Sequence, residues 1–143
     1  MSLKVVIDTN IIVSAVLNED SVPFQAFWLA RSKGTILLSA STFDELKEVL
    51  GRDKFDRFVS SEKRLLFLKT YLDQAESINP SITITACRDE KDNIFLELAV
   101  SGEATHIVTD DDDLLVLHPF EDIVIVTPAA FLENFSEEND DED

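Results

Sequence analysis

Short apolar runs alternate along this chain with longer stretches of helical spacing. Residues 3–7 form an apolar, β-branched run ending at Asp8, and residues 10–17 then take helical spacing, so the first unit reads as a strand running directly into a helix. Pro23 near its start and Gly34 after its end frame a second helix over residues 22–32, with Phe24, Phe27 and Trp28 expected as its buried stripe. Residues 35–39 are again β-like. A helix start follows at Ser41 and Thr42, with Phe43, Leu46 and Leu50 as its core face. Ser60 or Ser61 caps a further helix reaching about Ala75, its apolar spacing supplied by Leu65, Leu66, Leu68 and Leu72. Residues 82–85 are a weak strand candidate. From Asp92, a capping residue, Ile94, Phe95, Leu98 and Ala99 define a helix that stops at Gly102. Residues 106–109 then predict a strand, 113–117 a short helix, and 123–126 a last strand. Thr127 and Pro128 open a final helix to Phe135.

Regular alternation of strands and helices predicts an α/β fold, a three-layer α/β/α sandwich with a mostly parallel sheet that binds ligands beyond the carboxyl ends of its strands. At 143 residues and 45% hydrophobic, one domain is expected over residues 1–135, followed by an acidic, disordered tail at 136–143. The single cysteine, Cys87, excludes an intrachain disulfide. With no apolar run near the roughly 20 residues of a membrane span and an aspartate too early for a signal peptide, the expectation is a cytoplasmic protein without membrane contact.

Net charge is −17, which argues against clamping nucleic acid through a uniformly basic surface. The charge is uneven, however. Acids crowd residues 110–113 and the tail, whereas seven of the 12 Lys and Arg residues fall between Lys47 and Lys69: Lys47, Arg52, Lys54, Arg57, Lys63, Arg64 and Lys69. That segment reads either as solvated helix faces or as a surface that guides phosphates. The acidic tail could dock on it, or serve only solubility.

Acids recur at element junctions: Asp8 after the first strand, Glu45 early in a helix, Asp92 at a helix start, and Asp110 to Asp113 after a strand. Singly, each has an ordinary explanation as an N-cap, a dipole partner or a solvated turn. Jointly they are less ordinary, because carboxylates brought together on neighbouring strands repel by roughly 4 kcal/mol at about 4 Å and an effective dielectric of 20. Oxygen-only ligands select hard cations, so Mg²⁺ or Mn²⁺ is expected, and no Cys or His pair stands at zinc-ligand spacing. Phosphoryl transfer to water is the reaction class such a centre supports.

Five segments in order carry a resemblance: Val-Val-Ile-Asp-Thr-Asn at 5–10, Leu-Ser-Ala-Ser-Thr-Phe-Asp-Glu-Leu-Lys-Glu-Val-Leu at 38–50, Cys-Arg-Asp-Glu-Lys-Asp-Asn-Ile-Phe-Leu-Glu-Leu-Ala at 87–99, Ile-Val-Thr-Asp-Asp-Asp-Asp-Leu-Leu at 107–115 and Val-Thr-Pro-Ala-Ala-Phe-Leu at 126–132. Together they resemble PIN domains, above all the bacterial and archaeal VapC-like ribonucleases assigned as toxins of toxin–antitoxin pairs. The resemblance implies a Rossmann-like fold and a metal-binding centre of Asp8, Glu45, Asp92 and Asp111, with Asp113 beside it and Asn10 and Thr109 in support. Asp110 stands where the family commonly has glycine, which leaves the choice among Asp110, Asp111 and Asp112 open. The activity implied is metal-dependent endonucleolytic cleavage of single-stranded RNA, with a protein antitoxin and a second copy of the chain as partners.

Other readings compete. The run ending Asp8-Thr9-Asn10 is similar to the nucleophile motif of haloacid-dehalogenase phosphatases, but the second aspartate of that motif is Asn10 here. A phospho-receiver module would carry a lysine after its last strand, and residues 123–127 have none. A PIN-like binding or assembly module with little catalysis is motivated by the acidic balance. The full set of centre acids speaks against it.

Overall fold

In a computed structural model, which describes residues 2–141 with side chains through Phe135, the order of elements is β1 (Lys4–Ile7), α1 (Thr9–Leu17), α2 (Val22–Lys33), β2 (Thr35–Leu38), α3 (Ala40–Leu50), α4 (Ser61–Gln74), β3 (Glu76–Ser77), α5 (Asn93–Ser101), β4 (His106–Val108), α6 (Asp112–Leu115), β5 (Val124–Val126) and α7 (Pro128–Asp141). The five strands form one sheet in the order β3-β2-β1-β4-β5, and every pairing is parallel. Consecutive residues of a strand serve opposite faces. Val5 and Ile7 join α1, α2, α3, α4 and α7 in one buried cluster, while Val6 joins α5 and α6 in the other. Both faces are therefore dry, which is why the strands read as continuous apolar runs without polar alternation. The expected three-layer α/β/α sandwich is the fold observed.

Local chemistry fixes the element boundaries. Ser39 accepts from the Thr42 N–H while the Thr42 hydroxyl accepts from the Ser39 N–H, a reciprocal cap that starts α3 one residue after β2. Gly34 is required where it stands, because a Cβ there would lie 2.3 Å from the Leu3 carbonyl oxygen. That same oxygen accepts from the Thr35 N–H at 2.9 Å, joining the starts of β1 and β2.

Several expectations are corrected. The segment 82–85 is not a strand; the Ile84 N–H is met by the Glu97 carboxylate at 2.9 Å, and the third strand is the short Glu76–Ser77 beside β2. Of the stripe expected on α2, Phe27 is buried and Phe24 half-buried against the core, but Trp28 is 55% exposed with the Arg31 guanidinium over its ring, and Ala26 and Ala30 complete the buried face. On α4, Leu65, Leu66 and Leu72 are exposed and the buried face is Arg64, Leu68 and Tyr71. The last helix continues to Asp141 although Phe135 is its final apolar residue, since residues 129–141 contain no glycine or proline to stop it. Residues 142 and 143 of the expected tail lie outside the described residues. Among the described residues, no helix is long and apolar enough to cross a membrane.

Candidate metal centre

In the strand order, the sequence direction reverses between β1 and β4, the place where a parallel sheet opens a crevice at its carboxyl edge. Ile7 pairs with Val108 there, so the residues that follow, Asp8 and Thr109, emerge side by side. Asp8 is buried, and its N–H donates to the Val108 carbonyl at 3.0 Å. Thr109, fully buried, donates its hydroxyl to Asp8 Oδ2 at 2.7 Å and accepts from the Asp111 N–H at 3.0 Å. One threonine thus ties the ends of two strands and sets the start of α6.

The acidic run resolves by facing. Asp110 and Asp112 are exposed, while Asp111 and Asp113 are half-buried; the Asp111 carboxylate accepts the Asp113 N–H at 2.9 Å as the cap of α6. Of the residues left open by sequence, Asp111 therefore turns inward. On the opposite side, α3 brings Glu45, whose Oε2 accepts the hydroxyl of Thr9. Asn10 is exposed; its backbone N–H lowers the Asp8 carboxyl pKa, although the Asp8 side chain makes no capping hydrogen bond to α1.

Asp92 ends a 3-10 turn, Glu90–Asp92, and is buried. Its side chain makes no capping hydrogen bond, contrary to expectation; the cap at this turn is Asp89, which accepts from the Lys91 N–H at 3.1 Å. Asp92 Oδ2 is instead a buried oxygen with no hydrogen-bond partner. Its carboxylate lies with those of Asp89 and Asp113 in a group whose oxygens are within 4.8 Å of one another.

Electrostatics follow from this crowding. Burial pushes the Asp8 carboxyl up to about 6, opposed by the Thr109 hydrogen bond and reinforced by the charges of Asp111 and Glu45. Asp92 is pushed up to about 8, first by burial, then by Asp111 beside it and by Asp8 and Asp89. A purely structural cluster of acids would be expected to find lysine or arginine. Among the described residues, the ion pairs Arg52–Glu48 and Arg64–Asp56 lie elsewhere and no cation stands among the named electrostatic neighbours of Asp8 or Asp92, while the donor set is all carboxylate oxygen, which suits a hard divalent cation.

A family model described as PIN domain matches residues 4–113, which includes all the acids of this centre. The chain belongs to the PIN-domain family. An uncharacterized protein from Methanocaldococcus jannaschii is 30% identical over 145 residues, spanning 94% of this chain and 93% of the relative. Among solved structures, a chain of VapBC2 from Rickettsia felis, bound to a DNA fragment from their promoter, matches with a TM-score of 0.57 at 16% identity, covering 86% of this chain and 97% of that one. That likeness is one of fold. PIN domains are in general nucleases that use divalent metals, and the carboxylates gathered here fit such an ion.

Within this PIN domain, two contributors were not singled out from sequence. Thr9 orients Glu45, and its signal was its place directly after Asp8 at a helix start. Asp89 joins Asp92 through a turn, and its only signal was an acid three residues earlier. The cation-rich segment also changes. Arg64 is buried, with Nε and Nη1 donating to the carbonyls of Val59, Leu50 and Arg52 and Nη2 paired with Asp56, while Arg52 pairs with Glu48. Lys47, Lys54, Arg57, Lys63 and Lys69 remain as its exposed cations.

Proposed function

We propose that this chain is a metal-dependent endoribonuclease that cleaves single-stranded RNA, with Mg²⁺ or Mn²⁺ held by Asp8, Glu45, Asp92, Asp111 and Asp113. The observation that carries the reading is Asp92: a buried carboxylate with one oxygen that has no hydrogen-bond partner, crowded by the carboxylates of Asp89, Asp111 and Asp113. Unmet buried carboxylates are costly, and a divalent ion removes that cost. When bound, such an ion supplies charge against a phosphodiester oxygen and makes water acidic enough to attack near neutral pH.

The chain's own residues then divide the work. Thr109 fixes Asp8 through Oδ2, and the Asp113 N–H fixes Asp111 through Oδ1 as the cap of α6. Thr9 holds one oxygen of Glu45, so the other is available to orient the attacking water and take its proton. Asn10, exposed beside them, can hydrogen-bond water or substrate. The remaining exposed cations between Lys47 and Lys69 would draw the phosphate backbone toward an otherwise acidic molecule.

A toxin role with a protein antitoxin over the acidic cleft extends this proposal, supported by the fold likeness to a VapBC2 chain. Expression of the wild type alone should then arrest bacterial growth, and Asp8→Asn should not.

The direct test is cleavage of a fluorescent single-stranded RNA pool with Mn²⁺, with Mg²⁺ and with EDTA, beside Asp8→Asn and Asp111→Asn prepared identically. Metal-dependent cleavage lost in both variants supports the nuclease. Equal trace activity in all three proteins would favour a binding or assembly module.

A further inference from the structure

A second concavity lies on the same edge of the sheet as the acids. It encloses about 650 Å³ over the carboxyl ends of β2 and β3, and β2 is the strand next to β1 in the sheet. The Ile78 N–H donates to the Leu38 carbonyl at 2.8 Å as the chain leaves β3, and the Glu97 carboxylate accepts the Ile84 N–H at 2.9 Å. Residues 78–84 are thereby held as an outer wall. Two elements of the cavity also carry acids of the centre: α3 lends it Phe43 and Asp44, the residues before Glu45, and α5 lends it Ile94, two residues after Asp92.

The lining selects by charge and by shape. Phe43, Leu72, Ile78 and Ile82 give apolar walls, and Leu72 and Ile82 are left 45% and 41% exposed on a chain of net charge −17. Among the described residues that line it there is no lysine, arginine or histidine, so a phosphate is disfavoured there. The Asp44 side chain has no hydrogen bond or ion pair among the described residues, which leaves a carboxylate acceptor at an apolar wall. An uncharged planar group with N–H donors fits such a lining. Unstacked RNA bases are recognised in this manner, by packing on aromatic and apolar side chains and by hydrogen bonds at the Watson–Crick edge. Of the four bases, guanine sets two donors side by side, N1–H and the 2-amino group, which match the two oxygens of one carboxylate.

Resting on the ribonuclease reading above, we propose that this cavity is a base subsite that takes a guanine of the RNA. Asp44 accepts from N1–H and the 2-amino group, Asn79 supplies an amide donor for O6, and Phe43, Leu72 and Ile82 pack on the ring. The phosphate backbone stays outside, toward the acids and their cation. Asp44 is then a specificity residue and takes no part in the bond cleavage.

The experiment is NMR titration of guanosine, inosine and uridine into the full chain in EDTA, as wild type, Asp44→Asn and Ile82→Ala, with melting as the control for folding. Inosine lacks only the 2-amino group. Guanosine should shift amides among residues 41–44 and 78–82, and inosine and uridine should bind about five- to a hundredfold more weakly, the worth of a bidentate base contact. Asp44→Asn turns an acceptor into a donor and should bind guanosine and inosine alike, whereas Ile82→Ala should weaken both and keep their ratio. Absence of shifts at these residues, equal binding of guanosine and uridine, or an unchanged preference in Asp44→Asn would overturn the subsite. Shifts at the same residues that depend on protein concentration alone would place a second copy there and overturn it too. Neither result touches metal-dependent cleavage, which is measured separately; guanosine selectivity in a protein that cleaves no RNA would overturn the ribonuclease reading and leave the base site.

Discussion

Two buried charge sites in this molecule are built on opposite principles. Arg64 is 2% exposed and saturated: Nε and Nη1 meet three backbone carbonyls and Nη2 meets Asp56, closing the end of α3 onto the start of α4. Asp8 and Asp92 are buried at the carboxyl edge of the sheet and undersupplied, with like charges around them and one oxygen unmet. A buried charge whose partners are all in the chain is structural. One whose partners are missing indicates that something outside the chain completes it, and under the function proposed above that partner is a cation.

The comparison breaks most sharply in activity. If Glu45 orients and deprotonates the attacking water as proposed, Glu45→Gln should lower cleavage by about 10²–10⁴-fold while leaving RNA affinity nearly intact. Measured kcat and KM for a short single-stranded RNA decide this, and equal losses in rate and binding would remove the role. Next in size is the saturated site. Arg64→Ala should cost about 3–5 kcal/mol in urea unfolding, since it strands the carbonyls of Leu50, Arg52 and Val59.

The undersupplied site should show the reverse sign. In metal-free protein the folded state holds protons on Asp8 up to about 6 and on Asp92 up to about 8, whereas the unfolded chain releases them near the ordinary value of 3.8. Their contribution to stability is fully present below that ordinary value and is lost as pH rises through about 6 and then about 8. For Asp8 the loss is on the order of 2–3 kcal/mol. Asp8→Asn should therefore raise the stability of metal-free protein at pH 8 and leave it nearly unchanged at pH 4, as measured by urea melts in EDTA. Saturating Mn²⁺ should remove the advantage of the variant, because the cation needs the charged form.

How much of this was legible in sequence follows the same division. Asp8 and Asp111 were readable because each ends or follows an apolar run, and a parallel sheet sends such residues to one edge. Their convergence needed the strand order, which no local pattern encodes. On α4, Leu68 alone of the expected leucines is buried, and the rest of the face is Tyr71 and a charged residue, Arg64, that is buried only because distant carbonyls meet it. The Ile-Thr-Ile-Thr run at 82–85 has β-like alternation but no neighbouring strand; a glutamate side chain from α5 satisfies its backbone instead. Asp89 was invisible for a related reason. An exposed acid at a turn is ordinary until the fold brings Asp113 beside it.

The smallest effect is also the most discriminating for the saturated site. Asp56 is the one formally charged partner of Arg64, which suggests an ion pair as the stabilising unit. Its side chain is 57% exposed, however, and a carboxylate that remains in water gains little by pairing. The carbonyls of Leu50, Arg52 and Val59 lie on the protein side of the guanidinium and cannot be replaced by solvent at comparable cost. Asp56→Asn should therefore cost less than about 1 kcal/mol and respond weakly to salt, while Arg64→Ala costs several times more. Comparable losses in the two variants would mean that charge pairing, rather than carbonyl saturation, holds Arg64 in the core, and the contrast with the acidic centre would then rest on the sign of the charge alone.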